Sequence, residues 1–338
     1  MEIGYPDVRD QPLLGARNLG HAALVLLAPA PAVAAALALF GASDSVGADP
    51  GWRGVTSLAT FTAWLFHHPI AAANLLYLVF VNLVFWAIAL VQRSSWLIDP
   101  YWTLLPLLLA GFYTAHPLAD GDRTRLLLAW SALVVWSLRL THNYLRRERW
   151  RLGLREDWRY AKMRRERPGF AWEQLFVVFL AQQAMLVGLT LPFWAIAFRR
   201  VPFGVLDALC LAGALLGIAV AHVADAHLDR FMRENAARIA RGEPKVQLLD
   251  TGLWRCSRHP NYFGEQLFWW SIGGLGVVCG EPWVLLGTAL NSGVLAAVTV
   301  MTERRMLADP DRQEAYAAYR RQTSVWIPRP PRGPKRAR

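Results

Sequence analysis

Apolar runs recur along this 338-residue chain, parted by charged segments. In lipid every backbone N–H and C=O must be satisfied within the protein, which leaves helices or closed barrels. Runs of about 20 apolar residues without strict alternation read as helices. The sequence therefore predicts an all-α integral membrane protein, a polytopic bundle of about 7–9 transmembrane helices. A first span fits 21–40, kinked at Pro29 and Pro31. The apolar piece 55–66 is too short to cross alone and ends at His67-His68-Pro69. Further spans fit 70–91, the apolar stretch after Trp102 to about 115, 125–145, 171–198, 203–227, 264–279 and 282–302.

The net charge of +11 raises the possibility of nucleic acid, but its placement argues against that partner. Ten Lys/Arg fall in 146–167, seven in 228–263 and ten in 303–338, all beside apolar spans. Topology is the simpler cause: basic loops stay on the cytoplasmic side. The expected location is a bacterial inner membrane, with these loops and the C-terminus cytoplasmic and membrane lipids as partners. Arg199 and Arg200 fall on the opposite side and break the rule. Cys210, Cys256 and Cys279 form no disulfide framework or metal pattern, so no metal is expected. The first twenty residues lack a basic start followed by an apolar core, so no signal peptide is expected.

Four groups of residues carry chemistry. The densest is Gly252-Leu253-Trp254-Arg255-Cys256-Ser257-Arg258-His259-Pro260-Asn261-Tyr262-Phe263-Gly264-Glu265, a polar block running into an apolar span. Its arginines offer forks for phosphate, and Asn261, His259, Tyr262 and Glu265 offer directional hydrogen bonds; the alternative is an interfacial anchor. Arg139, Asn143 and Arg147 stand at spacings of four on one helix face, and Arg139 lies deep enough in its span to need a partner or a cavity. Asp225, Asp229, Arg230 and Arg233 form a third group beside His222 and His227; the spacing suits a carboxylate paired with arginine better than a metal site. Asp99-Pro100-Tyr101-Trp102 is either a helix cap with proline in the first turn or a proton donor at the membrane face. Asn74 and Asn82, eight apart, share a face that could hold helices together or line a cavity. Tyr316 and Tyr319 in the tail helix read as packing, with cofactor contact as the alternative. No glycine-rich dinucleotide fingerprint, Walker sequence or Gly-x-Ser-x-Gly elbow is present.

The block Gly252 to Glu265 resembles the signature of the steroid 5-alpha-reductase-like membrane family, including its bacterial branch. The run Glu156-Asp157-Trp158-Arg159-Tyr160-Ala161-Lys162-Met163-Arg164 resembles that branch too. So do Arg139-Leu140, Asp225 with Phe231 and Arg233, and Glu303-Arg304-Arg305-Met306-Leu307 through Tyr319 and Pro328. This divides the chain into N-terminal membrane helices at 1–90, a reductase-like membrane domain at 91–330 and a basic tail at 331–338. The resemblance implies cytosolic loops that bind NADPH and hydride transfer to an activated C=C of a hydrophobic, steroid- or isoprenoid-like small molecule or lipid. Asn261 and Glu265 match the family's nucleotide contacts most clearly. Arg139, Asn143, Arg147, Asp225, Arg233, Trp254, Arg255, Arg258, His259, Tyr262 and Tyr319 follow. Asp99 and Tyr101 are the catalytic candidates. The family's Gln-Glu pair and neighbouring tyrosine are not matched: no Gln precedes Asp99, and Trp136 stands where the tyrosine is expected. Two other readings fit the same motif. One is an S-adenosylmethionine-dependent enzyme resembling isoprenylcysteine carboxyl methyltransferases; the other is a non-catalytic lipid-binding membrane protein.

Overall fold

A computed structural model describes residues 12–331. The basic tail therefore lies outside the described residues from 332 onward. Within the described residues every regular element is helical, and one isolated parallel bridge joins Ser257 to Ser324.

The N-terminal part opens with α1 (Ala16–Leu27) and α2 (Ala30–Gly41), which meet at Pro29 and Pro31. Next, α3 (Leu58–His67) starts on a capping box in which Ser57 Oγ accepts from the Thr60 N–H and Thr60 Oγ1 accepts from the Ser57 N–H. α4 (Pro69–Leu76) passes through a π-helical turn (Tyr77–Asn82) into α5 (Leu83–Gln92). α6 (Ile98–Thr114) is followed by α7 (Arg123–Arg147), capped by Asp122, and α8 (Trp158–Glu166), capped by Asp157. A second π-helical turn (Leu175–Leu180) joins α9 (Phe170–Gln174) to α10 (Ala181–Phe198). The remaining helices are α11 (Val205–Ala240), α12 (Leu253–Cys256), α13 (Pro260–Val278), α14 (Leu285–Ala308) and α15 (Gln313–Gln322).

Among the described residues, five helical stretches are long and apolar enough to cross a membrane: Ala16–Gly41, Pro69–Gln92, Phe170–Phe198, Val205–Ala240 and Pro282–Ala308. This is consistent with an integral membrane protein whose apolar helices meet lipid. Two local features differ from the expected spans. α11 runs on to Ala240, because Ala236, Ala237 and Arg238 favour helix and nothing breaks it before Gly242, whose φ of 73° ends it. The two π-helical turns were invisible in the sequence, since an all-apolar run carries no phase from which a shifted register could be read.

The chain divides into two compact units, Met1–Asp207 with Gly273–Gly287, and Ala208–Ile272 with Thr288–Arg338. In the first, α6 packs against α7 and α10 over a core that includes Leu105, Leu109, Tyr113, Leu133 and Phe193. Polar residues hold the helices where packing in lipid gains little from the hydrophobic effect. Asn82 Nδ2 donates to Gln183 Oε1 at 2.6 Å, and Gln183 Nε2 donates to the Asn74 carbonyl at 3.0 Å. The shared face of Asn74 and Asn82 thus joins helices. Arg125 and Asp207, both fully buried, form a two-pronged ion pair at 2.6 and 2.9 Å. Arg125 also donates to the carbonyls of Val201 and Pro202. The exceptional arginines are neutralised within the protein: Arg199 lies 2.6 Å from Glu281 and Arg200 2.6 Å from Asp120.

In the second unit, α11 and α13 cross at glycines. A Cβ on Gly264 would sit 2.6 Å from both the Gly217 carbonyl oxygen and the Ala221 nitrogen. One glycine of the signature is therefore a packing requirement. Gly264→Ala is expected to cost about 1–3 kcal/mol by overpacking, and Gly264→Val more. Thermal unfolding in detergent measures this; an unchanged midpoint for the valine variant would show that the crossing is loose.

Candidate functional site

Each unit contributes a cluster of polar side chains. In the first unit the cluster gathers where the first turn of α6 meets the segment between α7 and α8. Asp99 is half-buried, and among the described residues its carboxylate takes no side-chain hydrogen bond. It does not cap α6, because Leu97 holds the N-cap position and no side-chain cap bond forms. The capping reading of Asp99 is thereby set aside. Burial and then the negative charge of Asp157 push Asp99 up to about 7, helped by Glu148 and opposed by Arg147 and Arg159. Asp157 behaves in the opposite way. Burial disfavours its charge, but Arg159 binds it at 2.9 and 3.0 Å and holds it below the usual carboxylate range. Two acids in one neighbourhood are thus driven to different protonation states, a pattern typical of acid–base sites.

Tyr160 belongs to the same neighbourhood. Burial, with Asp157 and Asp99 adding to it, lifts its hydroxyl to about 12, so it stays protonated at neutral pH. Gln182 on α10 donates to Tyr160 Oη at 2.9 Å, and the buried Gln182 Oε1 takes no hydrogen bond. The tyrosine proton and the glutamine oxygen therefore remain for a further polar group. Sequence reasoning quoted Asp157, Arg159 and Tyr160 only as part of a resemblance and missed Gln182. The signal open to it was the acids Glu148, Glu156 and Asp157 inside a mainly basic stretch. Tyr101, by contrast, is fully buried and donates to the Val25 carbonyl, so its hydroxyl is engaged in packing α6 against α1. In α7, Arg139 is buried, Asn143 accepts from Arg146 at 3.2 Å, and Arg147 is exposed 3.5 Å from Glu148.

In the second unit the signature block is tied to the C-terminal segment. Arg258 and His259 donate their backbone N–H groups to the carbonyls of Ser324 and Val325. The buried Arg258 side chain bonds Glu303 at 2.7 Å, the Thr323 carbonyl at 2.6 Å and the Arg320 carbonyl at 3.0 Å. His259 Nε2 lies 3.3 Å from Glu303, and its ring stacks on Tyr262. The Tyr319 hydroxyl donates to the Trp254 carbonyl, and Trp254 Nε1 to the Ala224 carbonyl at 3.0 Å. Arg258, Trp254 and Tyr319 are thus committed to holding the block in shape, because burying a guanidinium or an indole N–H demands such partners. Around this frame, Asn261 Nδ2 donates to Asp225 at 3.2 Å, and Asn261 and Glu265 stand four apart on the first turns of α13. Arg255 is exposed beside them in sequence, and Arg233 is exposed 3.0 Å from Asp229. The helix start and Arg255 suit a phosphate, while Asn261, Asp225, Tyr262 and Glu265 suit amide and ribose groups.

A helical protein with apolar stretches of membrane-crossing length, one cluster of oppositely shifted acids and one polar helix head is the class so defined. A family model described as "Protein of unknown function (DUF1295)" matches residues 85–323. The chain belongs to this family, which is steroid 5-alpha-reductase-like. It is also 26% identical over 281 residues to an uncharacterised protein of Schizosaccharomyces pombe, covering 78% of this chain and 80% of that protein. No solved structure matches the chain.

Proposed function

We propose that this protein is a membrane-embedded, NADPH-dependent reductase of an activated C=C bond in a hydrophobic, steroid- or isoprenoid-like substrate. The observation that carries this reading is Asp99, a half-buried carboxyl that burial and Asp157 push up to about 7, with no side-chain hydrogen bond among the described residues to occupy it. Reduction of a conjugated double bond needs a proton as well as a hydride, and a carboxyl poised near neutrality can give one to the substrate oxygen. Methyl transfer makes no such demand. Tyr160, kept protonated by burial and oriented by Gln182, would hold that oxygen by a hydrogen bond. Bound NADPH would supply the hydride.

The donor set on the second unit fits a dinucleotide. Arg255 and the start of α13 would take phosphate, and Asn261, Asp225, Tyr262 and Glu265 would take ribose and carboxamide groups. Arg258 and Tyr319 would support the fold of this site without touching the cofactor. We further assign eight crossings, α7, α13 and the part of α6 after Trp102 adding to the five apolar spans. The basic loops and C-terminus are assigned to the cytoplasmic face of a bacterial inner membrane.

Calorimetry on the purified protein in detergent tests the reading. NADPH is expected to bind more tightly than S-adenosylmethionine, and Asn261→Ala or Glu265→Ala to weaken it by about tenfold, the scale of one lost hydrogen bond. The reverse order of ligands would favour a methyltransferase, and binding of neither would favour a lipid-binding protein. Unchanged NADPH affinity in both variants would remove α13 from the cofactor site.

A further inference from the structure

Where α1 begins and α5 ends, a polar hollow of about 320 Å³ opens beside residues 153–156. Its donors are largely unspent. Arg17 is exposed and makes no ion pair or hydrogen bond among the described residues. Arg155 uses Nε on Glu148, at 2.8 and 3.1 Å, leaving its two terminal nitrogens. Gln92 accepts from Trp96 Nε1 at 2.6 Å through its oxygen, leaving its amide N–H₂, and the Ser94 hydroxyl is uncommitted. The acid on the wall, Glu156, is neutralised by Arg164 at 2.7 Å and by the Ser95 N–H at 2.6 Å.

The wall is rigid. His21 Nδ1 donates to the Leu152 carbonyl at 2.7 Å, and its ring lies 4.7 Å from that of Trp96. Asn18 holds the same strap through the Trp150 carbonyl at 3.2 Å and the Leu152 N–H at 2.8 Å. Arg149 and Trp150 in that strap adopt φ of 51° and 61°, a left-handed backbone that non-glycine residues accept only when their surroundings impose it. Gly153, at φ 64°, is required here, since a Cβ would sit 2.6 Å from His21 and 2.9 Å from Trp96.

We propose that this hollow binds the phosphate headgroup of an anionic phospholipid. Two arginines, an amide and a hydroxyl suit a phosphodiester, which offers a single charge and several acceptor oxygens. The surroundings select a lipid over a free anion. Both helices that bound the hollow belong to membrane-crossing stretches, and Leu14 and Val91, next to its rim in sequence, are 80% and 85% exposed. A headgroup in the hollow places its acyl chains along these apolar faces, and basic juxtamembrane clusters draw anionic lipids. The bound lipid then braces α1 against the 149–153 strap.

The test is thermal unfolding of the full chain in a neutral detergent with added phosphatidylglycerol, phosphatidylcholine or inorganic phosphate. Phosphatidylglycerol is expected to raise the midpoint by about 3–5 °C near saturation, and the other two by less than about 1 °C. Arg17→Gln is expected to remove at least half of that shift while leaving the lipid-free midpoint unchanged, since Arg17 makes no ion pair or hydrogen bond among the described residues. Arg17→Gln with Arg155→Gln is expected to remove all of it. Equal shifts from both lipids, an equal shift from inorganic phosphate, or a full shift in Arg17→Gln would each overturn the proposal.

Discussion

Asp99→Asn is expected to lower turnover by about 10²–10⁴-fold while NADPH affinity stays constant, the usual scale for removing a general acid. Asparagine keeps the size of the side chain and loses only the transferable proton. The pH profile adds a second readout. The acid form is the active one, so the wild-type rate should fall as pH rises through about 7. The variant should lose that inflection. Stability follows from the same shift. Folding raises Asp99 from 3.8 to about 7, so the folded state binds the proton more tightly than the unfolded chain. Its stabilising contribution is complete below about 3.8, declines between those values and is lost as pH rises through about 7. Asp99→Asn should flatten stability against pH across that window. Wild-type turnover in the variant would end the role of Asp99 as acid.

Arg125→Ala is expected to destabilise the protein by about 3–5 kcal/mol, the cost of breaking a buried ion pair from one side. Asp207 would be left charged without a cation, and the carbonyls of Val201 and Pro202 would lose their donor. The double variant Arg125→Met with Asp207→Leu should recover part of the loss, because it removes the orphaned charge but not the orphaned carbonyls. Folded yield and unfolding midpoint in detergent measure both. A single variant as stable as wild type would show that the pair contributes nothing to the turn between α10 and α11.

Particular residues show how far sequence reading reached. The proline break near Pro29, the short helix ending at His67 and the helix linking by Asn74 and Asn82 were legible, because each depends on local propensity or on one helix face. The signature at Gly252–Glu265 was legible as a unit, but the roles within it were not. Arg258 reads as a phosphate ligand by type, yet it is consumed by Glu303, 45 residues away, and by two carbonyls of the C-terminal segment. Tyr160 had no visible partner, since Gln182 reaches it from 22 residues on, across a π-helical turn that shifts the register. Tyr101 looked like chemistry beside Asp99 and is packing, because the Val25 carbonyl stands against it.

The residue string alone determined that this chain forms apolar helices long enough for a bilayer, where the charged segments fall and which polar block is unusual. Those properties follow from hydropathy summed over neighbouring residues, and each stretch carries its own answer. The tertiary structure decided which polar groups are spent and which remain open. A buried donor or charge takes whatever acceptor the fold brings to it, and no local spacing encodes a partner that lies tens of residues away.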